Sequence, residues 1–285
     1  MTEHLNRSNL KLRPSGHMHE YTSIDIHYED HLGLAWYYME GTPRPCFTPQ
    51  LLNETLHWAD ELQQDQVLNH IKYIVVTSNH PGVFNLGGDL DLFCKLIRSN
   101  NRKALMAYAT ACIQCAYLLH TGLDKDITTI SLVQGDALGG GFETALSGDM
   151  LIAEKCAKMG LPEILFNLFP GMGALSFLSR KIGLAQAEKI ILSGKVYSAQ
   201  EMFDLGIVDV LVEEGEGEAA VYDYLRRENR ARNGFRAVRR AKKHCNPVSY
   251  EELEGITSIW VDTALQLTPK DLRMIERLVK KQTVK

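Results

Sequence analysis

The chain has 285 residues, of which 45% are hydrophobic and 23% charged, and its formal net charge is −4. These proportions are typical of a soluble globular protein and exclude collagen-like, low-complexity and largely disordered chains. The negative net charge argues against a nucleic-acid-binding protein, and no run of about 18 apolar residues is present that could span a membrane.

The first quarter of the chain combines a polar N-terminus with strand and helix patterns. Residues 1–20 lack the apolar core of a secretory signal and are predicted to form a mobile arm. Two β-rich runs follow at 22–28 and 32–39. Thr48 and Pro49 then predict the start of a helix, because threonine is a good N-cap and proline favours the first helical position.

Buried strands alternate with glycine-rich stretches in the middle of the chain. The apolar runs at 73–78, 127–135 and 149–154 predict three buried strands. The stretch 80–90, HPGVFNLGGDL, predicts a glycine-rich loop after the first of them, and 104–120 predicts a long buried helix. This repeated order of strand, loop and helix predicts an α/β fold.

The last third of the chain is predicted to be mainly helical. Ser198 and Glu201 form a capping box, in which each side chain satisfies a backbone donor of the other residue. The acidic, glycine-containing stretch 213–218 is the predicted boundary. We therefore expect a core over 21–213 and a helical region over 214–285.

Cysteine and histidine spacing gives no sign of a metal site. Cys112 and Cys115 form a C-x-x-C inside the buried helix, but no second ligand pair is spaced for zinc, so buried thiols are predicted. The phosphate-loop and dinucleotide-binding glycine motifs are also absent. We expect no metal, no cofactor and an address in the reducing cytoplasm.

Two glycine-rich loops that follow buried strands are the main chemical clue. One contains Gly87 and Gly88, and the other contains Gly139, Gly140 and Gly141 before a helix. One backbone N–H from each loop, aimed at a single point, would form an oxyanion hole. The alternative is that these glycines only permit tight turns and close packing.

Two carboxyl groups follow the second loop. Glu143 lies in the first turn of the predicted helix, and Glu163 follows a proline in a loop that leaves the third buried strand. Two carboxyls that flank a site can divide the roles of acid and base. The alternatives are that Glu143 complements the helix dipole and that Glu163 is a solvated loop charge.

Together these segments resemble the crotonase (enoyl-CoA hydratase/isomerase) superfamily over about residues 70–212. The resemblance is carried by FNLGGDL, SLVQGDALGGGFETAL and MGLPEILFNLFPGMGA. It implies a spiral of β-β-α turns, a helical C-terminal region that forms a homotrimer or a dimer of trimers, and acyl-thioester substrates. It also implies that Gly88 and Gly140 are the oxyanion-hole donors and that Glu143 and Glu163 are the acid and base.

Within that superfamily the sequence is similar to the diffusible signal factor synthases, which make cis-2-unsaturated fatty-acid signals for bacterial quorum sensing. The similarity includes the C-terminal stretch 256–282 and departs from ordinary hydratases around 85–87. It implies a bifunctional dehydratase and thioesterase that converts 3-hydroxyacyl-ACP to a free cis-2-enoic acid. The alternatives are an enoyl-CoA hydratase/isomerase of fatty-acid metabolism and a catalytically silent protein that binds acyl groups or a signalling partner.

The resemblance further implies a set of substrate-binding residues and partners. The substrate-binding residues are Gly87, Leu138, Gly139, Met172, Trp260 and Leu278. For Trp260 and Leu278, ordinary packing on amphipathic helices is the alternative. The implied partners are an acyl carrier protein or coenzyme A thioester and a sensor-kinase receiver domain. The basic segment 226–243 could dock an acidic carrier protein or be a solvated helix face.

Overall fold

The computed structural model describes residues 21–42 and 44–282, so the predicted arm over 1–20 lies outside the described residues. Within them the ten strands are β1 (Ile24–Glu29), β2 (Leu34–Met39), β3 (Tyr73–Ser78), β4 (Val83–Asn85), β5 (Thr128–Val133), β6 (Asp136–Leu138), β7 (Met150–Glu154), β8 (Lys158–Gly160), β9 (Val196–Ser198) and β10 (Val210–Val212).

The same part of the chain contains eleven α-helices and two short 3-10 helices. The α-helices are α1 (Pro49–Gln64), α2 (Leu90–Arg98), α3 (Arg102–Thr121), α4 (Gly140–Ser147), α5 (Ala174–Ile182), α6 (Leu184–Ser193), α7 (Ala199–Asp204), α8 (Gly217–Arg230), α9 (Arg232–Cys245), α10 (Tyr250–Ala264) and α11 (Pro269–Gln282). The 3-10 helices cover Val67–His70 and Pro162–Phe166. No helix of the described residues is long and apolar enough to cross a membrane.

The larger sheet confirms the five strands predicted from the sequence. Its order is β1-β2-β3-β5-β7-β10, and only the β1–β2 pair is antiparallel. Helices cover both faces, which is why its central strands read as continuous apolar runs. The predicted start of α1 is also confirmed, because the Thr48 side chain accepts a hydrogen bond from the N–H of Leu51.

A second sheet, in the order β4-β6-β8-β9, was not predicted. The stretch 80–90 was expected to be a glycine-rich loop, but Val83–Asn85 forms strand β4 and pairs with β6. Each strand of this sheet has three residues, too few for a two-residue periodicity to stand out.

Successive strand pairs alternate between the two sheets. β3, β5 and β7 lie in the larger sheet, and each is followed at once by a strand of the smaller one, β4, β6 or β8. A helical segment then returns the chain to the next pair. The predicted α/β spiral of β-β-α turns with a helical C-terminal region is therefore confirmed.

The larger sheet has an apolar core on each face. Alternate residues of its strands, such as Leu34 and Trp36 on β2, point to the outer face, where Val221 and Leu225 of α8 cover them. The intervening residues join the main core with α1, α3 and α4. The main core lies next to the cavity described below.

An ion pair between the fully buried Glu228 and the largely buried Arg239 connects helices α8 and α9 at this outer face. Both oxygens of Glu228 accept hydrogen bonds from the guanidinium of Arg239, at 2.8 and 2.9 Å, and Thr128 of β5 also donates to Glu228. Removal of either partner lowers the stability of the protein, because the charge that remains is buried without compensation.

We expect Arg239→Met to lower the free energy of unfolding by about 3 kcal/mol or more, because it leaves the Glu228 carboxylate buried without its cation. The matched control is Arg240→Met on the exposed side of the same helix, which should change stability by about 0.5 kcal/mol or less. Urea unfolding of both variants measures the difference. Equal effects would contradict a role for the ion pair.

Candidate active site

A cavity of about 290 Å³ lies between helices α3, α4 and α10 and the 3-10 helix Pro162–Phe166. Its lining includes these predicted site residues: Gly87, Gly88, Leu138, Gly139, Gly140, Glu143, Glu163, Met172 and Trp260. The side chain of Leu278 lies outside the described residues. The remaining lining is mostly apolar and comprises Leu86, Leu90, Phe93, Tyr108, Ala109, Cys112, Asp136, Pro162, Phe166, Leu168 and Gly171.

The two glycine-rich loops touch each other at this cavity. Gly87 has a φ angle of +90°, and a Cβ on it would lie 2.9 Å from the carbonyl oxygen of Leu138 and 3.0 Å from the amide nitrogen of Gly140. A side chain at Gly87 would therefore be strained and would force the loops apart. Close approach of backbone to backbone explains why this position is glycine.

Two backbone N–H groups are available where the loops meet. Gly140 is the first residue of α4, and a first-turn N–H has no acceptor within its own helix. The N–H of Gly88 has no acceptor among the described residues. Two such donors can stabilise negative charge that develops on a carbonyl oxygen, as the oxyanion-hole interpretation requires.

Glu143 is buried and held by backbone donors. It lies in the first turn of α4, as predicted, but its Oε1 accepts hydrogen bonds from the N–H groups of Met172 and Ala174, at 2.7 and 2.9 Å. Burial raises the pKa of Glu143 to about 7, and the N–H donors from residues 172–174 oppose that rise. Glu143 therefore binds the segment around residues 172–174, a contact that complementation of its own helix dipole does not explain.

Glu163 is buried as well, so the alternative of a solvated loop charge is wrong. It lies in the 3-10 helix Pro162–Phe166 rather than in a loop. Gly139, with a φ angle of +53°, leaves room for it, because a Cβ there would lie 2.6 Å from Oε1 of Glu163. The other carboxyl oxygen, Oε2, is buried without a hydrogen-bond partner among the described residues.

The two carboxyl groups influence each other's ionisation. Burial, and then the charge of Glu143, raise the pKa of Glu163 to about 8. Ionisation of one carboxyl therefore opposes ionisation of the other, which favours a state with one charged and one protonated carboxyl. A pair in this state can accept one proton and donate another, which is what acid–base chemistry at adjacent atoms needs.

The C-terminal region supplies one wall of the cavity. Trp260 of α10 packs edge-to-face against Phe93 with ring centroids 5.1 Å apart. A Cβ on Gly171 would lie 2.4 Å from Cγ of this tryptophan, so the ring also packs directly on the loop before α5. Trp260 thus both packs in the core and lines the cavity.

Sequence reasoning missed the polar and apolar groups that α3 and β6 bring to the cavity. Tyr108 and Cys112 lie four residues apart on one face of α3, and Asp136 begins β6. The helical spacing of Tyr108 and Cys112 was a signal, but it is the signal of any buried helix. Cys112 is a buried free thiol, and no group of three or more His, Cys, Asp or Glu in the described residues could hold a metal ion.

Comparisons with known proteins identify related sequences and similar folds. The sequence model of the enoyl-CoA hydratase/isomerase family matches residues 42–280. The α subunit of the fatty acid oxidation complex of Pseudomonas syringae pv. tomato is 30% identical over 204 residues, which are 72% of this chain and 27% of that protein. Mitochondrial methylglutaconyl-CoA hydratase of Rattus norvegicus is 33% identical over 162 residues, 56% of this chain and 48% of that protein.

The chain spans about a quarter of the length of the first of these relatives and about half of the second. Among solved structures, an enoyl-CoA hydratase from Bacillus halodurans has a TM-score of 0.76 at 21% identity, and the match covers 90% of this chain and 100% of that one. At this identity the likeness concerns the fold.

We expect Glu163→Gln to change the free energy of unfolding more favourably at pH 8 than at pH 5, with a difference of about 1 kcal/mol or more. Because the folded-state pKa is raised above the usual value of 4.5, the folded protein binds more protons than the unfolded one between these values. The free energy of unfolding therefore falls as the pH rises from about 5 to about 8, and glutamine removes the part of this dependence that Glu163 contributes.

Urea unfolding at the two pH values measures this effect. The control is Glu188→Gln on the exposed surface of α6, which should not alter the difference between the two pH values. If Glu163→Gln shifts stability equally at pH 5 and pH 8, the carboxyl is not desolvated as described.

Proposed function

The chain belongs to the enoyl-CoA hydratase/isomerase family, and we propose that it dehydrates 3-hydroxyacyl thioesters and then hydrolyses the thioester, releasing a free cis-2-unsaturated fatty acid. The observation that carries the proposal is the pair of buried carboxyls, Glu143 and Glu163, beside the free N–H groups of Gly88 and Gly140 in an apolar cavity. The product would serve as a quorum-sensing signal, as the resemblance to diffusible signal factor synthases implies.

Dehydration needs a base, an acid and a site for negative charge. One carboxylate removes the proton from Cα, and the electron pair moves into the thioester to form an enolate. The N–H groups of Gly88 and Gly140 stabilise the enolate oxygen. The enolate then expels the 3-hydroxyl, which leaves as water after the protonated carboxyl has donated its proton.

The protonation states of the free enzyme suit this division of roles. The two N–H bonds to Glu143 favour its charged form, whereas Glu163 has a buried oxygen without a partner among the described residues, and burial raises its pKa. We infer that Glu143 carries the charge and Glu163 the proton before substrate binds. During dehydration Glu143 takes one proton from the substrate and Glu163 gives one to it, so the two carboxyls exchange their protonation states.

Hydrolysis would use the same groups. A carboxylate takes a proton from a water molecule, and the water oxygen attacks the thioester carbonyl. The carbon–sulfur bond then breaks, and the protonated carboxyl returns its proton to the leaving sulfur, which releases a thiol and a free acid. The tetrahedral intermediate carries its charge on the oxygen held by Gly88 and Gly140. Support for this second step, and for the cis geometry, comes from the resemblance to the synthases.

The walls of the cavity favour an acyl chain over a polar substrate. Leu138, Met172 and Trp260 line it together with Leu90 and Phe93 of α2 and Phe166 of the 3-10 helix. The side chain of Met172 lies directly against Gly140, since a Cβ there would be 2.5 Å from its sulfur. The acyl group would therefore begin at the two glycines and extend along these apolar side chains.

The basic segment 226–243 offers less free charge to an acyl carrier protein than its sequence suggests. Six of its residues have partners within the chain: Arg226 with Asp223, Arg227 with the rings of Tyr224 and Phe235, Arg232 with Tyr73, Arg236 with Asp126, Arg239 with Glu228 and Lys243 with Asp149. Arg230, Arg240 and Lys242 are exposed and remain for an acidic carrier. We therefore propose both acyl carrier protein and coenzyme A thioesters as donors of the acyl group. The receiver domain of a sensor kinase is proposed as a regulator.

Exposed apolar side chains support the proposed assembly into a homotrimer or a dimer of trimers. Leu165, Leu192 and Val196 are 59%, 57% and 41% exposed. Leu165 packs on Gly194, which lies between Leu192 and Val196 along the chain. Apolar groups that lie together on a surface often mark an interface.

We expect the double substitution Leu165→Glu and Leu192→Glu to lower the native mass from that of an oligomer, because it would bury carboxylates in the interface. Light scattering of the purified chain measures the mass, and Val238→Glu, at a 69% exposed position on α9, is the control. A wild-type monomer would contradict the proposed assembly.

An enoyl-CoA hydratase is the second proposal. It is favoured by the names of the relatives, a fatty acid oxidation subunit and a methylglutaconyl-CoA hydratase. The two proposals share the elimination step and differ in whether the thioester survives.

We expect purified protein incubated with 3-hydroxydodecanoyl-ACP to yield free cis-2-dodecenoic acid, detected by mass spectrometry of the organic extract. Glu143→Ala and Glu163→Ala should each lower the rate by about 100-fold or more, because each removes a general acid or base. The 3-hydroxydodecanoyl-CoA thioester is tested in parallel to identify the donor.

The products separate the proposals. Enoyl thioester without free acid would favour the hydratase, and turnover that survives both substitutions would contradict the assigned carboxyls. No turnover of either thioester would overturn both proposals for this acyl length.

A further inference from the structure

We propose that Tyr108 is a positioning residue that holds the N–H of Gly88 in the oxyanion hole by closing a hydrogen-bonded ring through Phe47 and Asp89. The inference rests on the proposed function, because it concerns the donor that would bind the thioester oxygen. It assigns a role to a side chain that contacts the donor loop from α3.

The first part of the ring fixes the peptide that carries the donor. The N–H of Phe47 donates to the carbonyl oxygen of Gly87 at 2.8 Å, and Phe47 pairs with Gly88 as an isolated parallel bridge. The carbonyl of Gly87 and the N–H of Gly88 belong to one planar trans peptide, so they point in opposite directions. Anchoring the carbonyl on Phe47 therefore sets the direction of the N–H.

Tyr108 completes the ring on the other side of Gly88. Its hydroxyl donates to the carbonyl oxygen of Phe47 at 2.5 Å and accepts a hydrogen bond from the N–H of Asp89 at 3.0 Å. Both peptides that flank Gly88 are thus tied to the backbone of Phe47, one directly and one through the tyrosine. A rotation of the Gly88 N–H away from its direction would break at least one of these bonds.

The ends of the ring are themselves anchored. The Asp89 carboxylate caps α2 by accepting from the N–H of Leu92, and Arg44 pairs with Asp89 at 3.0 Å and with Asp91 at 2.6 Å. The ring of Tyr108 packs edge-to-face on Phe93, with centroids 5.3 Å apart. The hydroxyl is therefore held at a fixed position rather than on a mobile side chain.

The hydroxyl acts through the loop and not on the substrate. Tyr108 lines the cavity, but its single proton is committed to the carbonyl of Phe47. Burial raises its pKa well above the usual value, so the proton stays in place across the working range of the enzyme. A group in this state positions a neighbour and does not serve as acid or base.

Tyr108→Phe tests the inference because it removes only the hydroxyl. The carbonyl of Phe47 and the N–H of Asp89 lose their partner, and the Gly88 N–H is no longer held in one direction. We expect kcat to fall by about tenfold to a hundredfold with KM changed by less than about threefold, since aiming matters most where charge develops. The pH profile should keep its shape, because Glu143 and Glu163 are untouched.

Tyr37→Phe is the matched control. Tyr37 is also buried, and its hydroxyl bonds to Thr55 at 2.6 Å, away from the cavity. Both variants lose a buried hydroxyl and should lose similar thermal stability, but Tyr37→Phe should retain the kcat of the wild type. Equal kcat values for the two variants would overturn the inference, as would a pure rise in KM for Tyr108→Phe.

A spectroscopic measurement separates this inference from the proposed reaction. A dodecanoyl thioester labelled with ¹³C at the carbonyl is bound to the Glu143→Gln, Glu163→Gln protein, which cannot turn it over on the proposed mechanism. We expect the carbonyl stretch to move to lower frequency on binding, and to move less when Tyr108→Phe is added. An unchanged shift in the triple variant would overturn the positioning role, whether or not the wild-type protein turns over either substrate.

If Tyr108→Phe does not fold, Arg44→Lys tests the same ring from its other anchor. Lysine cannot contact both Asp89 and Asp91 with the planar fork of arginine. The same pattern is expected, a lower kcat with little change in KM, and a wild-type kcat would overturn the inference.

Discussion

The burial of two carboxyl groups in one apolar cavity is the constraint on which the site depends. A buried carboxylate is unfavourable unless it is compensated, and a second one nearby raises the free energy further. The fold compensates Glu143 with two backbone N–H groups from the segment that follows Gly171. It leaves Glu163 with a buried oxygen that has no partner among the described residues, so this carboxyl retains a proton more readily. On the proposed function, the difference between the two environments would make Glu163 the acid and Glu143 the base.

The alternation of strands between two sheets brings these groups together. The second strand of each β-β-α turn lies in the smaller sheet. The glycine loops that follow β4 and β6 meet beside this sheet, because neither loop has side chains at the contact. The third turn delivers Glu163 immediately after β8. The smaller sheet contributes few residues to the core. Its importance is that it places the ends of β4, β6 and β8 side by side, so that the segments that follow them lie next to one another at the cavity.

The sequence predicted the parts of the fold that have strong local patterns. Continuous apolar runs gave β3, β5 and β7, and Thr48 with Pro49 gave the start of α1. The three-residue strands of the second sheet were missed because pairing, rather than local preference, creates them. The burial of Glu163 could not be predicted from its neighbours, since it depends on Gly139 and on the cavity beyond it. Tyr108 was missed for the same reason, because its partners are 19 and 61 residues away.

On the proposed function, the two reactions place complementary demands on one site. Dehydration releases a water molecule beside Glu143 and Glu163, and hydrolysis consumes one, so the pair of steps needs no net water from solvent. Each step ends with the proton returned to the carboxyl pair, which suits a cavity whose remaining lining is mostly apolar. The oxyanion is the same oxygen in both steps, held by Gly88 and Gly140. A device that fixes the direction of the Gly88 N–H would therefore act on both reactions equally, whereas the carboxyls must exchange roles between them.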